Sequence, residues 1–268
     1  MKISFIGSGK MAEALISGIT ESNTLSPNSI NCTDKDDKKI TYMNEKYNIN
    51  KFTNNLDVIQ NADIIFICIK PQDINELSNE LKNQFKNNQT IVSILAGTQI
   101  QILRELFNHN SIIRIMPNTP AQIKKSVSVW THTKQTDAKH IKQIKSILES
   151  IGSDFYVEKE ELIDMATALS GSGPAYLFLF IESLIEAGKN IGLPGNLSEN
   201  LTTKMIDGSI NLLNFSEESP EILRENVTSP GGTTEAALKV LINNNFKKII
   251  IEAITAAHER GIELGKSQ

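Results

Sequence analysis

What this chain of 268 residues has little of narrows its function first. It has two cysteines, Cys32 and Cys68, each inside an apolar or strand-like run. That excludes a disulfide framework and points to reduced core residues of a cytoplasmic protein. Its four histidines are scattered, nowhere with metal-ligand spacing, so no metal site is expected. Basic charge is not in excess. The 27 Lys and Arg stand against 31 Asp and Glu, for a formal net charge of -4 and a pI of about 5.7. Such a chain lacks the field that nucleic acid or an anionic membrane demands, and any anionic ligand must be held by local groups. Long hydrophobic runs are missing too. The run Ile3 to Ile6 is far too short for a signal peptide. The longest apolar run, "AYLFLFIESLIEA", is interrupted by Glu182 and Glu186, which predicts a buried helix rather than a membrane span.

What remains, 40% hydrophobic and 22% charged, is the composition of a globular protein of one or two domains with a real core. Periodicity divides it. Through about Val157 the β-rich runs "KISFI", "SINCT", "DIIFICI", "TIVSIL", "SIIRIM", "VSVW" and "DFYV" alternate with polar, helix-like segments. That alternation predicts an α/β fold with a doubly wound, mostly parallel sheet, and "DIIFICI", apolar on both faces, is its central strand. From Glu160 onward apolar residues recur at helical spacing instead, as in Ile249, Ala253, Ala256, Ala257 and Ile262. We therefore expect one domain over 1–159 and an all-helical one over 160–268, with no Pro/Gly/Ser linker between them. The helical half is too amphipathic to cover its own apolar faces, so a homodimer interleaving these helices is expected.

Three stretches carry chemistry. In "FIGSGKMA" a strand runs into Gly7-x-Gly9-x-x-Ala12 and then a helix, the arrangement that binds a dinucleotide. Gly7 permits the tight turn, Gly9 lets backbone approach a pyrophosphate, and the helix start offers amides to it. Alone the pattern is weak, and a plain tight turn of a doubly wound fold is the alternative. Asp34, closing the second strand, strengthens it, since a carboxylate there accepts from a ribose 2'-hydroxyl and repels a 2'-phosphate. Lys35 beside it could neutralise that phosphate, so the two residues pull cofactor preference in opposite directions; a solvated charge cluster with Lys38 and Lys39 is the alternative. "SGSGPAY" at Ser170 to Tyr176 lacks the Gly-x-Ser-x-Gly spacing of a nucleophile elbow and reads equally as a helix start and as bare backbone for a ligand. "TSPGGTTEAA" at Thr228 to Ala237 spends two adjacent glycines ahead of a helix, where each costs about 1 kcal/mol of helix propensity relative to Ala.

Taken together, "FIGSGKMA", "KPQ" at Lys70, "IRIMPNTPA", "LSGSGPAY" and "VTSPGGTTEAAL" resemble the pyrroline-5-carboxylate reductases, in order and over almost the whole chain. The resemblance implies a Rossmann-like domain followed by a helical dimerisation domain, with dimers able to assemble further. It also implies hydride transfer from NADPH, or NADH as the alternative, to C5 of the cyclic imine pyrroline-5-carboxylate. By that resemblance the cofactor site falls on Gly7, Gly9, Lys10, Met11, Asn55, Lys70, Pro71 and Ala96, to which the reading of the residues themselves adds Ile6, Ser8, Asp34 and Lys35. Asn118, Ser229, Gly232, Thr233 and Thr234 surround the substrate, with Thr234 catalytic. Lys10 departs from the family, where Asn is frequent, and Asp34 departs in a family many of whose members prefer NADPH. The twin glycines then become an anion cradle built without Lys or Arg, and the two threonines add hydroxyls for the ring nitrogen. A capped interhelix turn is the alternative.

Two other classes remain. A 3-hydroxyacid dehydrogenase type of enzyme would carry a catalytic Lys where this chain has Leu177. A dinucleotide-binding protein without chemistry would have no use for "SPGGTT".

Overall fold

A computed structural model describes Met1–Lys266, and in it every strand-like run named above pairs into one sheet. The strands are β1 (Ile3–Ile6), β2 (Ile30–Thr33), β3 (Asn50–Lys51), β4 (Ile64–Ile67), β5 (Thr90–Ser93), β6 (Ile112–Met116), β7 (Ser126–His132) and β8 (Gly152–Tyr156). Their order is β3-β2-β1-β4-β5-β6-β7-β8, parallel throughout except the antiparallel β6–β7 pair. The order reverses between β1 and β4, so a crevice opens there beyond the carboxyl ends of the strands. The helices of this part are α1 (Lys10–Glu21), α2 (Asp37–Tyr47), α3 (Asn55–Gln60), α4 (Ile74–Leu81), α5 (Ile100–Phe107), α6 (Ala138–Ile151) and α7 (Glu161–Ala166).

Alternation along the strands decides which side each residue covers. Ile3 and Phe5 of β1 and Ile64 and Phe66 of β4 join the core layer under α1 and α6, where the Phe5 and Phe66 rings stack at 4.7 Å. Ile6, Ile65 and Ile67 point the other way, into the layer formed with α4 and α5. Both faces of the central strands are therefore dry, which is why β4 is apolar without a break and Ser4, the one polar residue of β1, gives its hydroxyl to the Val58 carbonyl at 2.8 Å. Ala12, fully buried on α1, keeps that helix close to the sheet.

The remaining helices are α8 (Gly173–Asn190), α9 (Gly195–Phe215), α10 (Pro220–Asn226), α11 (Thr233–Asn243) and α12 (Phe246–Lys266). The chain separates into two compact units, one of Met1–Pro174 with the segment from Ala256 onward, the other Ala175–Thr255. In the first, the end of α12 meets the loop after β5 at van der Waals distance: a Cβ on Gly265 would lie 2.5 Å from the Gly97 carbonyl oxygen. In the second unit only Ser198 and Thr202 are buried. The expectation of a buried helix for "AYLFLFIESLIEA" is thus corrected: within this chain α8 has no buried residue, and Phe178 and Leu179 are 61% and 64% exposed. By length and composition the helical stretch Glu161–Asn190 would suffice to cross a membrane. From α8 onward its large apolar side chains have little cover from their own chain.

Candidate active site

The crevice at the β1/β4 reversal holds a cavity of about 670 Å³. Of the residues assigned to a dinucleotide, Ile6, Gly7, Gly9, Lys10, Met11, Asp34, Lys35, Asn55 and Lys70 line it. Gly7 has φ of 96°, and a Cβ there would lie 2.5 Å from the Cys68 carbonyl oxygen, so no L-residue fits the turn. A Cβ on Gly9 would meet nothing within 4 Å. Gly9 is also the N-cap of α1 and offers no side-chain cap, so the first amides of that helix keep their hydrogen-bonding capacity for a ligand. The residues fit a pyrophosphate: open space, bare backbone and a helix start.

Asp34 has a second task. Its Oδ2 accepts from both the Ser8 N–H (2.7 Å) and the Ser8 hydroxyl (2.8 Å), and its Oδ1 accepts from the Asp36 N–H at 2.9 Å. Burial would raise its carboxyl, but these hydrogen bonds and the charge of Lys39 outweigh it and hold the pKa below the usual value. Oδ2 is fully used, which leaves one acceptor position on Oδ1. Ser8 is buried and braces the turn through Asp34. Ser8, Pro71 and Ala96 are not on the cavity lining; Pro71 begins the short turn Pro71–Asp73, and Ala96 sits in the loop after β5.

Three carboxylates that the sequence reading passed over line the same cavity: Asp73, Glu76 and Glu80. Their spacing of three and four residues puts them on one face of α4 and the turn before it, a signal legible in the sequence. Glu76 Oε2 accepts from Lys35 Nζ at 2.5 Å, and Glu80 Oε2 accepts from the Asn55 amide at 2.8 Å.

Asn118 lies elsewhere in the first unit, buried and fully engaged. Its Oδ1 accepts from the Val127 N–H at 2.9 Å, and its Nδ2 donates to the Ser170 carbonyl at 3.0 Å. The physical need is visible in the chain. Ser170 belongs to a π-helical turn, Thr167–Gly171, and the residue four beyond it is Pro174, which has no N–H to offer.

The residues expected around the substrate, Ser229, Gly232, Thr233 and Thr234, belong to the second unit, at the start of α11. Gly231 has φ of 72°, and a Cβ on Gly232 would sit 2.5 Å from Ser229 Oγ. Gly231 is thus required by the backbone of the turn, while at Gly232 a side chain would displace the Ser229 hydroxyl. Glu235 reaches back to accept from the Gly231 N–H at 2.6 Å, and the Gly232 N–H is given to the Ser229 carbonyl at 3.0 Å. The cradle is therefore narrower than the sequence suggests, since its capacity falls to the amides and hydroxyls of Thr233 and Thr234 and the amide of Glu235.

Residues 160–264 match the family described as pyrroline-5-carboxylate reductase dimerisation, and residues 2–97 match NADP oxidoreductase coenzyme F420-dependent. A pyrroline-5-carboxylate reductase of Corynebacterium melassecola is 35% identical, over 98% of both chains. One of Bacillus subtilis is also 35% identical, over 98% of this chain and 95% of its own. This chain belongs to the pyrroline-5-carboxylate reductase family. Members of the pyrroline-5-carboxylate reductase family are NAD(P)H-dependent oxidoreductases of proline biosynthesis. Among solved structures, the Plasmodium falciparum pyrroline carboxylate reductase with NADP bound superposes with a TM-score of 0.90 at 32% identity, covering 99% of this chain and 98% of that one.

Proposed function

We propose that this chain reduces the C=N bond of pyrroline-5-carboxylate to give proline, with NADPH as the reductant and NADH as the alternative. The observation that carries the reading is the presence in one chain of two glycine turns of different kind. One, at Gly7–Gly9, opens a helix start onto a cavity large enough for a dinucleotide; the other, at Gly231–Gly232, presents two threonine hydroxyls at the start of α11. When bound, the reduced dinucleotide supplies the hydride. Gly7, Gly9, Lys10 and Met11 hold its pyrophosphate end, and Asp34, Lys35 and Asn55 its adenosine ribose. The amides of Thr233 and Thr234 hold the substrate carboxylate without a permanent cation beside the imine. The Thr234 hydroxyl bonds the ring nitrogen as it becomes an amine, C5 taking the hydride and nitrogen a proton. Asn118 acts on this site by fixing the turn at Ser170.

The chain acts as a homodimer in which a second copy covers α8 and α12, with dimers able to assemble further. It works in the cytoplasm, where the thiols of Cys32 and Cys68 stay reduced; burial pushes that of Cys32 up to about 12 and keeps it inert. We assign 1–159 to the cofactor and 160–268 to dimerisation and substrate. Steady-state turnover of pyrroline-5-carboxylate with each reduced cofactor, against an acyclic hydroxyacid with the oxidised ones, is the test. Turnover of the imine alone is expected. Oxidation of the hydroxyacid, or binding of dinucleotide with no turnover of either, would overturn the assignment.

A further inference from the structure

We propose that Glu76 sets the balance between NADPH and NADH, by holding Lys35 away from a cofactor 2'-phosphate. The inference rests on reading the cavity at the β1/β4 reversal as the dinucleotide site. Lys35 follows β2 on one wall and Glu76 stands on α4 across from it, and both line that cavity. Their side chains meet at 2.5 Å, each 71% exposed. The hydrogen bond that Lys35 gives to Glu76 raises the Lys35 pKa, and Asp73 and Glu80 add to the effect through their charge. Lys39, at the start of α2 and also on the lining, stands 3.9 Å from Asp34 Oδ1. Each of these two cations on the β2 side thus already faces a carboxylate.

A 2'-phosphate brings a charge of about -1.5 to -2 at neutral pH, and Lys35 can meet it only by leaving Glu76. Glu76 then stands beside the phosphate with its own charge uncompensated, with Asp73 and Glu80 on the same face. A free 2'-hydroxyl meets no such opposition, since Asp34 Oδ1 keeps an acceptor position for it. Glu76 therefore acts twice against the phosphorylated cofactor, once by occupying its cation and once by repulsion. Because the pair is exposed, the effect is modest and screened by salt.

The test is calorimetric binding of NADP+ and NAD+ to the full-length protein and to its Glu76→Gln variant, with both cofactors compared in each. We expect the ratio Kd(NAD+)/Kd(NADP+) to rise about 5-fold in the variant at low salt, the size of a 1 kcal/mol change. The rise should shrink in 0.5 M salt and be smaller in a Lys35→Ala background, where only the repulsion is left to remove. An unchanged ratio at low salt, or an equal rise in the Lys35→Ala background, would overturn the proposal. If neither dinucleotide bound the unaltered protein, the reading of the cavity itself would fall, a result distinct from an unchanged ratio. Circular dichroism of each variant confirms that the fold is intact.

Discussion

Thr234 shows how narrow the chemistry is at the scale of single residues. Its hydroxyl stands in the first turn of α11, where Gly231 and Gly232 have already given their N–H groups to Glu235 and Ser229. If that hydroxyl bonds the ring nitrogen, the bond strengthens as the nitrogen becomes an amine, so it belongs more to the transition state than to the ground state. Thr234→Ala should lower kcat and kcat/KM together by about 10-fold to 100-fold, below the range of a dedicated general acid. Stopped-flow hydride transfer at saturating imine checks this, and an unchanged rate would reduce Thr234 to a helix-start residue. Gly232→Ala should act through geometry instead, because the new Cβ would press on Ser229 Oγ at 2.5 Å and distort the turn. Its expected signature is a raised KM for the imine with cofactor affinity kept, read in the same assay. The need for two glycines was legible in "TSPGGTTEAA". The Glu235 contact, which takes one amide from the cradle, was passed over although a Glu three residues into the helix commonly reaches back in this way. That Asp34 stands at the crevice was legible from its place at the end of β2, but its bonds to Ser8 were not, since nothing in one sequence aligns the end of β2 with the turn after β1.

Elements are tied to each other by charge at two places, and each tie makes a prediction. Glu13 of α1 accepts from Lys46 at 2.9 Å and from the Tyr42 hydroxyl at 2.8 Å, both on α2. Burial alone would raise the Glu13 carboxyl, yet the bonds from Lys46 and Tyr42 and the charges of Lys46 and Lys10 bring it down from 4.5 to about 2. A carboxyl depressed in the folded state stabilises fully above its unfolded value, and that contribution is lost as pH falls from about 4.5 toward 2. The stability difference between the unaltered protein and Glu13→Gln, measured by urea unfolding, should therefore hold from pH 7 to about 5 and shrink below that. A difference independent of pH would mean that the clip works by packing alone. The second tie is buried. Arg114 of β6, 1% exposed, donates to Glu160 at 2.8 Å and to Asp164 at 2.5 Å, and Glu160 also accepts from the Ile100 N–H at the start of α5. Its Nε has no partner, so the guanidinium cannot spare another. Glu160→Ala should cost about 1–3 kcal/mol, since it leaves a buried Arg114 donor without its acceptor while Asp164 still balances the charge, read as a lower urea midpoint at fixed protein concentration. At this scale β1 and β4 were legible because they are dry on both faces, whereas β8 was read from its β-rich residues although Phe155 and Tyr156 are exposed. β3 was missed, since two residues show no period. The Asn118 brace was hidden for another reason: its partner, Ser170, lies 52 residues away, and the need for it arises from Pro174.

The whole molecule poses the largest physical problem, in the second unit. Its helices were legible from spacing, but what their apolar faces meet was not, because periodicity reports that a face must be covered and not by what. In Ala175–Thr255 only Ser198 and Thr202 are buried, while Phe178, Leu179, Ile242 and Ile251 are 61%, 64%, 67% and 64% exposed. Soluble monomers rarely leave so much apolar surface open, and residues 160–264 match the family described as pyrroline-5-carboxylate reductase dimerisation, which supports a second copy as its cover. In an isologous interface each buried side chain counts twice, once per copy. Burying one Phe contributes about 1.5–3 kcal/mol, so Phe178 alone would stabilise such a dimer by roughly 3–6 kcal/mol if both copies are covered. Putting a carboxylate there instead adds a desolvation cost of several kcal/mol per ion. Sedimentation equilibrium at micromolar concentration should therefore give about twice the chain mass of 29.7 kDa for the unaltered protein. Phe178→Asp should shift it toward monomer or unfold it. Those two outcomes are separable, because a weakened dimer has a Tm that rises with protein concentration whereas an unfolded chain has no transition at all. A Phe178→Leu control should stay dimeric, since it keeps an apolar side chain. A stable, folded monomer for the unaltered protein, with a Tm independent of concentration, would show that α8 and α12 find their cover elsewhere.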